Sequence, residues 1–182
     1  MKYILGKLGL FISVGFTYYM LECFFRGYSH WSMFLLAGLL SFVIDGVNNV
    51  LSFECDYLIQ VLIVTTLCTI AEGCCGLIVN VWLGLNVWNY SNMPWGTFFF
   101  GQCNIIFCLV WMALVGLFGI FYCDGYNYYI MKIDPCPYYK IFGKVFLRFK
   151  EIIFLLKFIL IEIIIIIKLK LLCLVHIVKL LI

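Results

Sequence analysis

Apolar residues fill this 182-residue chain in four long stretches separated by short polar breaks. A helix crossing a hydrocarbon core of about 30 Å needs about 20 mostly apolar residues. Four segments meet that length, running from about Tyr3 to Phe25, Trp31 to Leu51, Leu58 to Leu85 and Phe98 to Tyr122. The breaks are Arg26 to His30, Ser52 to Asp56 and Asn86 to Trp95, each rich in turn-forming residues. Trp31, Tyr57, Trp82, Trp88, Tyr90, Trp95 and Tyr122 fall near the ends of the stretches, where amphipathic rings suit the membrane–water interface. The pattern predicts an all-α, multi-pass transmembrane helix bundle of about four spans over residues 1–144, followed by an apolar, Lys-containing C-terminal helix over residues 145–182.

Polar residues inside the stretches carry the most information, because each must be paired or turned toward protein. Cys68, Glu72, Gly76, Asn80 and Gly84 recur every four residues and form one slowly winding stripe. Gly38, Ser41, Asp45, Asn48 or Asn49, and Ser52 do so in the second span, and Gly101, Asn104, Cys108, Met112 and Gly116 in the fourth. The first span offers the weaker set Gly6, Ser13 and Thr17. Such faces let helices approach closely and hydrogen-bond, at about 0.6 kcal/mol per polar contact. Alternatively, Glu72, with Asp45, Asn80 and Asn104 as polar partners, lines a pathway in which a carboxylate binds or relays a cation or proton.

Composition agrees with lipid as the main solvent: 66% of residues are hydrophobic, and twelve basic and nine acidic residues cannot clothe a soluble domain of this size. The basic residues cluster toward the two ends of the chain, which leaves no broad face for nucleic acid. Lys2, Lys7, Lys132, Lys140 and Lys144 outnumber Arg26 alone on the opposite side, so the positive-inside rule puts both termini in the cytoplasm. The loops around Arg26 and Asn86 to Trp95 are then external and the Glu54/Asp56 loop internal. The N-terminal stretch shows no small-residue cleavage site and reads as a retained first helix. Most of the ten Cys lie in apolar runs and read as small hydrophobes. Cys55, Cys123 and Cys136 sit near expected loops. There is no Cys-x-x-Cys, and His30 and His176 are far apart, so neither a zinc site nor another cofactor is expected.

From Val145 the chain becomes an Ile/Leu/Lys/Phe sequence of low complexity, with five Ile in succession at 163–167. On a helical wheel Lys144, Arg148, Glu151, Glu162 and His176 share one side, with Lys150, Lys157, Lys168 and Lys179 about 120° away. An interfacial helix with snorkelling lysines is the first expectation. A fifth span would carry Lys157 and Glu162 at a cost of about 2.5–3.5 kcal/mol each. An extension without function is the third reading. Glu22 and Arg26, four apart at the end of the first span, read as a solvated pair of small energetic weight.

No nucleotide-binding Gly-x-x-x-x-Gly-Lys loop, His-Glu-x-x-His or Gly-x-Ser-x-Gly elbow occurs, and no enzyme activity is expected. One set of motifs does stand out. Glu72-Gly73-Cys74-Cys75-Gly76 with Asn80, then Trp88-Asn89-Tyr90-Ser91-Asn92-Met93-Pro94 and Gly101-Gln102-Cys103, resembles the bacterial ABC-transporter permease family, type IV. Glu22, Arg26 and Gly27 resemble elements at the end of that family's first helix, and Pro137 to Phe142 its closing segment. The similarity spans about Tyr18 to Tyr128. Ala71 stands where the family has Leu, Asn89 where it has Asp, and a Gly-Pro-rich entry to the second span is missing. The resemblance implies a membrane-embedded permease subunit with Trp88, Asn89, Tyr90, Ser91 and Pro94 as an external loop motif and a separate ATPase chain as partner. Four helices are few for a whole pathway, so transport would call for a homo-oligomer or larger complex. The rival expectation is a non-transporting membrane protein, either a regulatory partner or a self-associating, holin-like one.

Overall fold

The computed structural model describes residues 1–151, leaving aside the side chains of Asn48 and Leu117. The protein is mostly helical. Helix α1 covers Lys2–Arg26, α2 Trp31–Val50 and α3 Tyr57–Gly76, which runs on through a π-helical turn, Leu77–Trp82. The last rod combines α4 (Ile105–Leu114), a π turn (Val115–Gly119), α5 (Ile120–Tyr126) and a second π turn (Asn127–Met131). Among the described residues, two helices are long and apolar enough to cross a membrane, Lys2–Arg26 and Tyr57–Trp82, while Trp31–Val47 within α2 and Ile105–Leu114 are shorter apolar stretches.

Local chemistry sets the boundaries. Gly27 adopts the left-handed conformation (φ 80°) and returns its N–H to the Cys23 carbonyl, closing α1. His30, Asp56 and Asn104 each place a side-chain acceptor on a free N–H at the start of α2, α3 and α4. The lack of a side chain at Gly15 lets α1 and α2 lie close together: a Cβ there would stand 2.7 Å from the Phe34 carbonyl oxygen. The core between the rods is built from Leu10, Leu40, Ile44, Val61, Val64, Cys68, Val115 and Ile120.

Three expectations need correction. The apolar pattern predicts a fourth span from Phe98 to Tyr122, but Thr97–Phe98 (β1) and Cys103–Asn104 (β2) form a short antiparallel ladder. Phe99 and Phe100 between them turn through the left-handed region (φ 51° and 53°), with Gly96 and Gly101 beside them at φ 77° and 78°. The helix starts only after the Asn104 cap and continues to Met131, past the polar Asp124 and Asn127. Those two side chains are tolerated in it because each has a partner, Asn127 on α2 across the bundle and Asp124 in the segment that follows the rod.

The helix expected from Val145 is also displaced at its start. Lys144–Arg148 forms strand β4, paired with β3 (Tyr138–Ile141) across a Phe142-Gly143 turn at φ 50° and 75°. Two successive positive φ values match the twist of a tight hairpin. The reading of residues 152–182 lies outside the described residues. The two short ladders, finally, make all-α too strict a description.

Candidate functional site

The periodicity on α3 is realised: Cys68, Glu72, Gly76 and Asn80 are all buried, whereas Gly84 is exposed. Glu72 is 2% exposed and sits on the face of α3 turned toward α4. The Trp111 indole donates to Glu72 Oε2 at 2.8 Å. The Tyr90 hydroxyl lies 3.4 Å from Oε1. Tyr18 stacks on Trp111 with 5.3 Å between ring centroids, and Tyr90 stacks on Phe107 at 4.4 Å. Among the described residues no Lys, Arg or His forms an ion pair with Glu72.

The loop motif turns out to be part of this site. Its backbone is pinned to the rods by Asn80, which accepts from the Val87 N–H at 2.7 Å and donates to Gln102 Oε1 at 2.7 Å. The Trp88 ring is buried, not interfacial, and donates to the Gln102 carbonyl at 3.1 Å. Asn89 accepts from the Ser91 N–H, and Asn104 donates to the Pro94 carbonyl at 2.9 Å while capping α4. Gly73 and Gly76 allow the loop to sit directly on α3, since a Cβ at Gly76 would come within 2.7 Å of the Gln102 Cβ. Asn80 and Asn104 thus hold the loop in place, and Tyr90 is the motif residue that reaches the carboxyl.

Asp45 is elsewhere. It pairs with Lys7 Nζ at 2.5 Å and accepts from Asn127 Nδ2 at 2.5 Å. Lys7 and Tyr18 are eleven residues apart on α1, about 16 Å of helix axis at 1.5 Å per residue, so the Asp45 and Glu72 clusters occupy opposite ends of the bundle. Near the Asp45 end, Tyr139 of the hairpin donates to Asp124 at 2.7 Å. Glu54 accepts from both Lys140 and Tyr138, and the Phe142 N–H donates to Asp56 at 2.5 Å. Lys140, and to a lesser degree Tyr138, holds the Glu54 carboxyl below its ordinary range, and Glu54 raises Lys140 in turn. At the Glu72 end, Glu22 is buried, pairs with Arg26 and accepts from Ser29 at 2.5 Å.

Sequence reasoning missed Trp111, Tyr18, Lys7 and Asn127. A signal existed for Trp111: an indole N–H in the middle of an apolar run needs an acceptor. For Lys7 there was its position inside the first apolar stretch, where a cation needs a partner. No family model matches the chain, and no curated protein or solved structure does.

Proposed function

We propose that the chain is an integral, multi-pass protein of the cell membrane with four spans and both termini cytoplasmic, acting as a permease-like subunit in which Glu72 is the cation- or proton-binding carboxylate. The observation that carries this reading is a buried carboxyl with neutral donors and no counterion among the described residues. An uncompensated acid in apolar surroundings is costly to keep, and intramembrane acids of this kind serve as ion or proton sites. The contacts of Glu54 and Asp56 with the hairpin after the last rod support the topology, because four antiparallel spans put those segments on one side.

The experiment is purification of the tagged protein from its native membrane in gentle detergent, with mass spectrometry of what accompanies it. A stoichiometric ATPase is the expected result, and Glu72→Gln, inserted at the wild-type level, then abolishes uptake in proteoliposomes. Recovery of the protein alone, or only with itself, overturns the permease role.

That second outcome has its own support. Between the two polar clusters the core is filled by Leu10, Leu40, Val64 and Val115, which favours a non-transporting, self-associating or regulatory membrane protein over a path through a single copy.

A further inference from the structure

The two partners of Glu72 differ in what their hydrogens can do. An indole N–H only donates, whereas a tyrosine hydroxyl donates or accepts. Trp111 therefore holds Oε2 whether or not the carboxyl is ionised, and Tyr90 adapts to either state by turning its O–H. A hard metal cation would need several oxygen ligands and would face the indole hydrogen instead. The other titratable or charged groups in the neighbourhood are Tyr18, Glu22 and Arg26 of α1, Cys68, Cys74 and Cys75 of α3, and Cys103 of β2 with Cys108 of α4 beside it. Arg26 is engaged by Glu22, and α2 has no ionisable side chain from Trp31 to Ile44.

Taking Glu72 as the carboxylate of the proposed function, we propose that its ligand is a single proton, carried on Oε1 and exchanged with the aqueous surface through the Tyr90 hydroxyl. Tyr90 is half-buried between the exposed Asn89 and Ser91, and its hydroxyl lies 3.4 Å from Oε1 of a carboxyl that is 2% exposed. Its ring is fixed by the Phe107 stack and its backbone by donation to the Gly101 carbonyl at 2.7 Å. In uptake, a hydronium ion at the surface gives a proton to the Tyr90 oxygen while the original Tyr90 hydrogen passes to Glu72 Oε1. One tyrosine O–H bond breaks and another forms, water is left outside, and the carboxylate becomes a neutral acid that now donates to Tyr90. Release reverses these steps.

The test is infrared difference spectroscopy of the full-length protein in lipid nanodiscs between alkaline and acidic pH. The expected signal is a protonated-carboxyl band that Glu72→Gln removes. In Tyr90→Phe, which keeps the ring stack, the band persists but its hydrogen–deuterium exchange slows about tenfold, the weight of one hydrogen bond. Trp111→Phe shifts the band without slowing exchange. Wild-type exchange in Tyr90→Phe overturns the relay and leaves Glu72 as a binding carboxylate. A band that responds to added Na⁺ or Ca²⁺ at fixed pH, and not to pH, overturns the proton as ligand. Absence of any band sensitive to Glu72→Gln overturns both the inference and the site on which it rests.

Discussion

Asp45 and Glu72 are both buried acids on apolar helices, one toward each end of the bundle, and they are accommodated by opposite means. Asp45 has a full cation 2.5 Å away, an amide donor from Asn127 and a place in the contact between α1, α2 and the last rod. Glu72 has an indole and a hydroxyl, both neutral, and a loop folded over it. A paired buried charge is closed: removing one member strands the other, and nothing further binds without breaking the pair. A carboxyl held only by neutral donors keeps its charge free to change. The first arrangement suits the architecture, the second suits a ligand.

Removing charge while keeping shape separates the two most sharply. Asp45→Asn leaves the Lys7 ammonium without a counterion and is expected to destabilise the fold by about 3–5 kcal/mol. Lys7 keeps 14% of its side-chain exposure, which favours the lower end of that range. Glu72→Gln is expected to change stability by less than about 1 kcal/mol, because the amide oxygen still accepts from Trp111. Unfolding of both variants in the same detergent measures the difference. Equal losses would mean that Glu72 is as structural as Asp45.

Glycines sharpen the comparison at the next level of effect. Gly76→Ala pushes a methyl into Gln102, 2.7 Å away at the ideal position, and is expected to cost about 1–3 kcal/mol by displacing the loop. Gly46, next to Asp45 on α2, has nothing within 4 Å of the same methyl. Gly46→Ala is expected to be neutral or to stabilise by up to about 1 kcal/mol. The same melting measurement reads both; a neutral Gly76→Ala would show that the loop does not rest on α3 as closely as described.

What could be read from the sequence was local. The stripe from Cys68 to Asn80 is buried as its four-residue spacing predicts, and the starts of α1 and α2 lie within a residue of the expected positions. Pairing between helices was not readable. Asp45 finds Lys7 38 residues away and Asn127 82 residues away, and only the arrangement of the rods decides that they meet. Asp45, Asn80 and Asn104 look like companions of Glu72 by composition, yet they hold three different contacts. The run Phe98 to Phe100 misled for another reason: apolarity suggests a span, while the left-handed backbone at Phe99 and Phe100 follows from how the loop folds onto Gly73 and Gly76.

The smallest expected effect concerns how the Asp45 end is closed by its hairpin. Glu54 is well exposed, so its pairing with Lys140 and Tyr138 adds little to global stability, but it gives the hairpin a pH dependence. The Glu54 carboxyl is held below its ordinary range in the fold, so its contribution is complete above the unfolded value and disappears as pH falls through the lowered one. Lys140 is raised, so its contribution is complete below the ordinary lysine value and disappears as pH rises through the raised one. The pairing therefore holds across neutral pH and fails at both extremes. Amide exchange at Phe142 compared between wild type and Glu54→Gln at matched pH isolates this, because intrinsic exchange rates cancel. Faster exchange in the variant at neutral pH, converging with wild type in acid, is expected. A difference that persists in acid would mean that Glu54 supports the hairpin through packing instead of charge, and that the closure of the Asp45 end does not depend on this ion pair.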